Sequence, residues 1–456
     1  MNGIHWNKCK SGIATAVLAV AAMGHSGQVS AATIPVTNCH DEGDGSLREA
    51  VRTAPSGDTI NLRDLTCPKI TLTSGAILVP QLNLDIQGPG FRKLSVSGNL
   101  ASSVFRHMAL HGAFKISGIT VEDGVRREPT YPPPVSPRAE GGCIYSHGSE
   151  VTLYDVELRH CSALGRGLTT YTTIAQGGGI YAPLATVTVS YSGIYSNIAR
   201  GLAAAGGGII ANKVVLYRTR IHHNWSSGFG GGFVALAGAS MNYSTINHNH
   251  ARYAAGGFYA DYFAQVSNST ISNNRAGTDG GGFMVSTFLY PTVIVNSTIS
   301  GNVAASSSAA RIFWGASFAN STIAFNRRNT KAGQEPSGAL SVYNGDLLLG
   351  SSIVANNTAD GQPDVDLLTQ DPLTRIIGSN NLVMEGNGPL PADTIHADPM
   401  LAPLGDNGGR TWTHALLDGS PAIDRGNNEA GLLYDQRGIG FPRVKGAGAD
   451  IGAYER

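Results

Sequence analysis

Residues 256–302 read GGFYADYFAQVSNSTISNNRAGTDGGGFMVSTFLYPTVIVNSTISGN, and this stretch contains the same two phrases twice. The glycine-rich phrase also occurs as GGCIY at 141, GGGIY at 177, GGGII at 206 and GGGFV at 230. The polar–apolar phrase recurs between 191 and 357 and ends at Asn197, Asn224, Asn249, Asn274, Asn302, Asn326 and Asn357. Its isoleucines average 26.5 residues apart over six intervals and are Ile194, Ile221, Ile246, Ile271, Ile299, Ile323 and Ile353.

This period predicts a parallel β-helix. Helical repeats would need a 3.6-residue periodicity and leucine-rich repeats a leucine ladder, and neither is present. The segments instead alternate polar and apolar residues, as at 185–189, and three short strands with three turns account for one coil. We expect the isoleucines to form an inward ladder and the asparagines to lie at a turn, in the left-handed backbone region that Asn tolerates.

The ends of the chain predict export and caps. Residues 1–31 read as a secretory signal, with Lys8 and Lys10 before a short apolar run, and no later stretch is long enough for a transmembrane helix. We expect residues 32–137 to form the N-terminal cap and early coils, 138–360 the regular coils, and 361–456 the last coils and an irregular C-terminal cap. The capping box at 46–49 predicts a short helix over the first coil. These features predict a secreted or surface-bound protein.

Four cysteines remain after removal of the signal: Cys39, Cys67, Cys143 and Cys161. An even number suits an oxidising compartment, and four cysteines allow three pairings. We favour Cys39–Cys67 and Cys143–Cys161 because these partners are nearest in sequence. Free buried thiols are the alternative.

Several longer phrases carry a resemblance. DGSLREAV at 44–51, LDIQGPGFRKLSVSGN at 84–99, KISGITVEDG at 115–124, DPMLAPLGDNGGRTWTHALLDGSPAIDRGN at 398–427 and DQRGIGFPRVKGAGADIGAYE at 435–455 resemble bacterial exported β-helix proteins of the choice-of-anchor Q (CSLREA-type) group. The resemblance implies a right-handed parallel β-helix and export, and it implies little about chemistry. Gly45 stands where the group's cysteine usually precedes SLREA, and the sequence ends without a sorting tail, so covalent anchoring is not expected.

The charge distribution indicates an anionic partner. The whole chain is balanced, with 32 basic and 32 acidic residues. Between residues 170 and 330, however, two acids, Asp261 and Asp279, face nine bases: Arg200, Lys213, Arg218, Arg220, Arg252, Arg275, Arg311, Arg327 and Arg328. A basic face favours an acidic polysaccharide, such as a uronic-acid polymer, rather than a nucleic acid. Basic residues scattered over a solvated surface are the alternative.

The glycine phrase places one residue per coil on the outside. In GGGIY the isoleucine should point inward and the tyrosine outward, which gives an outer column of Tyr145, Tyr181, Ile210, Val234, Tyr259 and Met284. Exposed aromatic residues suit sugar rings, and covering by side loops is the alternative. We expect Asp261 to lie on the same face. One or two coils further along the chain, we expect Arg311 to replace a glycine of the repeat.

A second column contains His160, Ser196, His223 and His248, each one residue before the asparagine position or its equivalent. Stacked coils would place His223 and His248 about 5 Å apart, where either could act as a general base. Ordinary turn histidines that bond the backbone are the alternative. A metal site would need a third ligand that is not evident, so the metal remains unknown.

The scarcity of acids favours a lyase over a hydrolase. Hydrolysis usually needs two carboxylates, and Asp261 and Asp279 would lie roughly 20 Å apart. β-Elimination from a uronic acid needs a base and cations. We therefore predict Arg252, Arg275 and Arg311 to neutralise charge, His223, His248 or Tyr259 to act as base or acid, Asp261 to orient, and Tyr145, Tyr181 and Asp279 to contact substrate.

The competing hypothesis is a non-catalytic adhesin or glycan-binding scaffold. No cofactor is certain, and Ca²⁺ is a candidate with Asp364 and Asp366 as weak ligands. The sequence specifies neither the glycan nor the oligomeric state.

Overall fold

The computed structural model describes residues 31–127, 138–165, 173–286, 290–329, 338–360, 362–363, 365–369 and 374–456. The expected signal segment, at 1–31, lies outside these residues apart from its last position. In the described residues the chain winds as a parallel β-helix, as predicted, because each strand pairs in parallel with its counterpart one coil later. No helix in the described part of the chain is long and apolar enough to cross a membrane.

The strands of the described residues form four sheets. Sheet A consists of Thr33–Pro35, Thr59–Asn61, Ile77–Val79, Leu84–Gln87, Phe105–His107, Ala113–Ser117, Ile144–Ser146, Glu150–Tyr154, Ile180–Ser190, Ile209–Tyr217, Phe233–Asn242, Phe258–Ala260, Ala264–Ser267, Phe283–Val285, Thr292–Val295, Ala310–Phe313, Ala316–Ala319, Leu340–Tyr343, Leu347–Gly350, Leu367–Thr369 and Ile376–Ser379. Sheet B consists of Lys69–Thr71, Ser95–Ser97, Thr120–Glu122, Glu157–Arg159, Gly193–Tyr195, Arg220–His222, Thr245–Asn247, Thr270–Ser272, Thr298–Ser300, Thr322–Ala324, Ile353–Ala355 and Leu382–Val383. Sheet C consists of Val125–Arg127, Ser162–Leu164, Ile198–Arg200, Trp225–Ser226, His250–Ala251, Arg275–Ala276, Val303–Ala304, Arg327–Arg328, Thr358–Ala359 and the antiparallel Gln362–Pro363. Sheet D consists of Arg138–Glu140, Ile174–Gln176 and Ala203–Ala205.

The interior is built from columns of like residues. The isoleucines from Ile194 to Ile323 are fully buried and pair in register from coil to coil, as predicted. Ile353 is an exception, because Ile323 pairs with Val354 and Ile353 pairs with Thr322. The phrase at 351–357 aligns on its terminal asparagine, which moves the ladder to Val354 and leaves Ile353 in a separate apolar cluster.

The terminal asparagines lie inside the β-helix, so the prediction that they occupy the left-handed turn position is wrong. All seven are buried, and the residue before each one has the positive φ, as at His223 (55°) and His248 (54°). Asn224 Nδ2 donates to Asn249 Oδ1 at 3.0 Å, and Asn249 repeats this bond to Asn274 at 3.0 Å. The amides thus form a continuous ladder, in which each side chain satisfies the buried polar groups of its neighbours.

The N-terminal end matches the sequence signals. A helix runs over Leu47–Thr53, the Ser46 hydroxyl accepts a hydrogen bond from the Glu49 amide at 3.2 Å, and Leu47, Ala50 and Val51 are buried. Arg48 pairs with Asp41 at 2.6 Å, and hydrogen bonds from Arg48, Thr73 and Ser74 outweigh burial and lower the pKa of Asp41 to about 2.

Both preferred cysteine pairings are present. Cys39 is bonded to Cys67 and Cys143 to Cys161. Disulfides are typical of proteins from oxidising compartments, which supports the expectation of export.

The C-terminal segment, residues 398–456, is irregular as predicted, but it lies along the side of the β-helix. Its backbone and side chains contact the outer face of sheet B over several coils: Thr322 Oγ1 accepts from the Ala453 amide, and Thr270 Oγ1 donates to the Trp412 carbonyl at 2.7 Å, 142 residues away. The segment also packs Leu416, Ala422 and Ile451 against Ile353 and Leu382. It therefore covers the later coils of sheet B and leaves the earlier coils open.

Candidate functional site

The structure distributes the predicted cations over several faces. Arg311 lies on the outer side of sheet A, Arg220 on sheet B, and Arg200 and Arg275 on sheet C. Arg252 directly follows a strand of sheet C and is exposed. The prediction of a single basic stripe is therefore wrong, because the bases fall at different positions of the repeat and each position faces a different side of the coil.

The outer column of sheet A has the predicted register but is not an exposed strip. Tyr145 pairs with Tyr181, and the column continues in register through Tyr259 and Met284. Tyr145 and Tyr181 are only 6 % and 8 % exposed, because they stack on each other with ring centres 5.6 Å apart and pack in one apolar cluster with Ala205 of sheet D. These two predicted substrate contacts are thus covered, by neighbouring strand residues rather than by the side loops that the alternative proposed.

Two predicted groups on this face are already bonded to carboxylates. The Tyr259 hydroxyl donates to Asp261 Oδ1 at 2.6 Å, and burial and this carboxylate raise the pKa of Tyr259. Arg311 Nη1 lies 2.8 Å from Asp279 Oδ2. Arg311 pairs with Met284, so it replaces an outward-facing apolar residue. The prediction that it replaces a glycine is wrong. Asp279 therefore acts as the counter-ion of Arg311.

Histidine side chains line the outer edge where sheet B turns into sheet C. The rings of His223 and His248 stack with centres 5.0 Å apart, which confirms the predicted spacing. His222 Nδ1 lies 2.8 Å from His223 Nδ1, and the Tyr195 ring stacks on His222 at 4.8 Å. We call Tyr195, His222, His223 and His248 the imidazole cluster.

Within the imidazole cluster, His222 is neutral at physiological pH. Burial, together with the charges of Arg220 and the neighbouring histidines, lowers the pKa of His222 to about 4. Burial also lowers the pKa of His248. A neutral imidazole can accept a proton, but the burial and cationic surroundings that lower the pKa of His222 also make it a weak base.

The predicted lyase set is divided between two places. Tyr259, Asp261 and Arg311 lie on sheet A, whereas His223 and His248 lie at the edge of sheets B and C. Arg275 is near that second edge, where it pairs in register with His250. The sequence placed these residues on one stripe because it could not show which side of the coil each position faces.

The sequence reading overlooked a row of aromatic side chains at the turn from sheet A to sheet B. We call Tyr154, Tyr191, Tyr217 and Tyr243 the tyrosine row. Tyr154 and Tyr191 are 53 % and 42 % exposed, with ring centres 5.4 Å apart, and Tyr191 lies 5.5 Å from Tyr217. Arg218 lies within the row, with its guanidinium carbon 5.4 Å from the Tyr191 ring centre and 5.1 Å from that of Tyr217.

A sequence signal for this row existed. Tyr191, Arg218 and Tyr243 occupy the first position of the polar–apolar phrase and share a positive φ of 53°, 49° and 48°. In later coils the same position holds Asn268, Asn296 and Asn320. The change from asparagine to large side chains occurs at the boundary of the C-terminal segment, which approaches the Tyr243 ring through Gly438 and borders a pocket with Arg218.

The residues proposed for calcium have a different role where they are described. Asp364 lies outside the described residues. Asp366 is buried and accepts hydrogen bonds from Asn357 Nδ2 at 2.7 Å and from the Glu385 amide at 3.0 Å, so it ends the asparagine ladder. In the described part of the chain, no three His, Cys, Asp or Glu side chains are grouped so as to hold a metal ion.

No family model and no curated protein sequence matches the chain. The chain is similar to the crystal structure of pectate lyase Pel9A, at 15 % sequence identity and a TM-score of 0.47, over 94 % of this chain and 98 % of that chain.

Proposed function

We propose that this protein binds an extended acidic polysaccharide along the turn between sheets A and B. The observation that carries the proposal is the tyrosine row, which presents rings on successive coils to solvent. Tyrosine combines an apolar ring face, against which the C–H face of a sugar can pack, with a hydroxyl that can bond its polar edge. The coil spacing of about 4.8 Å repeats this surface along the axis, as an extended chain requires.

The surface is rigid before binding. Each ring stands on a coil that is hydrogen-bonded to both neighbours and held by the buried asparagine ladder. A ligand therefore orders few protein side chains when it binds, which reduces the entropic cost of association.

The charge near the row favours an acidic polymer. Arg218 lies within it, and Arg220, on the adjacent strand of sheet B, is exposed. No carboxylate in the described residues forms an ion pair with either guanidinium. The excess of bases between residues 170 and 330 adds a longer-range attraction.

Isothermal titration with a uronic-acid polymer tests this proposal. We expect Tyr154→Ala and Tyr191→Ala each to weaken binding about five- to tenfold, since losing one aromatic contact is worth about 1 kcal/mol. Tyr262→Ala is the matched control, because Tyr262 is 44 % exposed away from the row and should leave affinity unchanged. Unaltered binding by the double variant of Tyr154 and Tyr191 would refute the proposal.

A lyase is the second candidate, supported by the imidazole cluster beside Arg220. A neutral imidazole would take the C5 proton of the uronate, the C4–O bond would break, and the departing oxygen would take up a proton. Ultraviolet absorbance of the unsaturated product, measured across pH and with and without calcium, tests it. We expect His223→Gln to abolish any product. Flat traces from a protein that still binds the polymer would favour the non-catalytic scaffold.

A further inference from the structure

We propose that the pocket where the C-terminal segment meets the tyrosine row binds one carboxylate-bearing sugar ring through Arg218 and Arg410. We call it the arginine pocket. This inference rests on the proposed polysaccharide function and adds to it a specific site and ligand chemistry. The pocket has a volume of about 410 Å³, and its lining includes Tyr217, Arg218, Tyr243, Arg410, Arg437 and Gly438.

The two walls come from distant parts of the sequence. Tyr217, Arg218 and Tyr243 belong to the coils, and the opposite wall is formed by residues 408–410 and 437–439 of the C-terminal segment. Gly438 has a φ of 91°, and a Cβ there would lie 3.1 Å from Tyr243 Cε1. Glycine thus allows the segment to approach the Tyr243 ring closely and narrow the pocket.

Arg218 is held in place and has unused donors. Its Nη1 donates to the Tyr191 hydroxyl at 3.1 Å, and two tyrosine rings flank the guanidinium. Its Nε is buried and has no hydrogen-bond partner in the described residues. Arg218 also lines the pocket, so the outer donors of its guanidinium that Tyr191 does not use can reach a bound carboxylate.

Arg410 provides the second charge. It is exposed at the pocket, and no described carboxylate forms an ion pair with it. Burial raises the pKa of the Tyr243 hydroxyl, and the nearby guanidinium groups of Arg218 and Arg410 partly oppose that rise. Two cations around one cavity, with tyrosine rings as a wall, match a ring that carries a carboxylate.

The third arginine of the pocket serves a structural purpose. Arg437 Nη2 lies 2.6 Å from the buried Asp435 carboxylate, and the guanidinium stacks 4.0 Å from the Phe441 ring centre and 3.9 Å from that of Tyr454. Its charge is neutralised and its position fixed. Arg437 therefore shapes the wall, and Arg218 and Arg410 remain available to a ligand.

Binding of three polymers by the full chain tests the inference: a polygalacturonate, a sulfated dextran and an uncharged dextran. We expect Arg410→Gln and Arg218→Gln each to weaken polygalacturonate binding about tenfold, which is the loss of one charge-assisted contact. Binding of the uncharged polymer should not change. Arg218→Lys should restore only part of the affinity, because lysine keeps the charge but not the planar fork.

The control is Arg425→Gln, which removes an exposed arginine from another part of the C-terminal segment and should behave as the parent protein. Equal polygalacturonate affinity of the parent and both Arg→Gln variants would overturn the inference. A larger loss for the sulfated polymer than for polygalacturonate would also overturn it, since the ligand would then be a sulfate. If Tyr154→Ala weakens binding while the arginine variants do not, the proposed function stands and only the arginine pocket fails.

Discussion

The turn between sheets A and B has two regions that share one backbone conformation but differ in their outer side chains. In the covered region Asn268, Asn296 and Asn320 have φ values of 50°, 53° and 45°, and in the open region Tyr191 and Arg218 have 53° and 49°. The asparagines bond one another and the C-terminal segment: Asn296 Nδ2 donates to Asn268 Oδ1 at 2.7 Å and to the Tyr434 carbonyl at 3.1 Å. In the covered region the side chain at this position thus bonds the C-terminal segment, whereas Tyr191 at the equivalent position is 42 % exposed.

The comparison also explains a misleading sequence pattern. Asn268, Asn296 and Asn320 each begin an Asn-Ser-Thr triplet that matches a glycosylation acceptor, but the triplets recur in register with the coils, which favours a structural origin. Asn296 and Asn320 are each 1 % exposed, and Asn320 donates to the Asn427 carbonyl. Their amides serve the contact with the C-terminal segment.

The largest expected effect tests whether the two regions share the same interior. Asn224→Ala in the open region and Asn302→Ala in the covered region each remove a ladder amide that bonds both neighbouring coils. We expect each to lower the free energy of unfolding by about 3–5 kcal/mol, because several buried polar groups lose their partners. Denaturant titration measures this.

The control for both is Asn273→Gly, since Asn273 is an exposed turn residue whose φ of 54° glycine accepts. A cost below about 1 kcal/mol for either ladder variant would show that the amide ladder is not a main source of stability.

A smaller effect on stability should distinguish the covered region from the open region. Thr298 and Thr245 occupy equivalent positions of sheet B, but Thr298 Oγ1 donates to Gln436 Oε1 at 2.6 Å in the covered region, whereas Thr245 is half-buried in the open one. We expect Thr298→Val to cost about 1–2 kcal/mol and Thr245→Val less than about 0.5 kcal/mol. Thermal unfolding compares them, and equal costs would contradict the proposed contribution of the segment.

The smallest effect concerns pH. His414 is buried between the C-terminal segment and sheet B, where its Nε2 lies 2.8 Å from the Ser300 hydroxyl and its Nδ1 2.7 Å from the Ala402 carbonyl. Burial lowers the pKa of His414 in the folded state. The unfolded chain therefore binds the proton more readily, so stability is present above pH 6.5 and is lost as the pH falls towards the folded pKa, by at most about 1.4 kcal/mol per pH unit.

We expect His414→Gln to have a shallower decline in unfolding temperature between neutral and mildly acidic pH than the parent. His111→Gln is the control, because His111 is exposed on an early coil. Identical slopes for the parent and His414→Gln would show that this histidine does not link the segment to pH.

The sequence predicted the fold far better than the site. The period, the alternation and the isoleucine series identify the β-helix because stacked coils repeat their environment at every turn. The positive φ was predicted for the asparagines, but it belongs to the residue before each of them. A repeat alone does not show which of two adjacent residues has the positive φ. The stacking of His223 on His248 was predictable because it joins neighbouring coils, whereas the apolar cluster that buries Tyr145 and Tyr181 includes Ala205 of sheet D, a sheet that the repeat does not reveal.

The repeat alone specified the coil and its isoleucine column, and the cysteine spacing favoured both disulfide pairs, because these depend on contacts between adjacent repeats or on cysteines near in sequence. Which outer surface is open depends instead on tertiary contacts. The C-terminal segment joins Trp412 to Thr270 and brings Gly438 against Tyr243, contacts between residues far apart in the chain. Such contacts depend on the shape of the finished coils, and they create both the covered face and the arginine pocket.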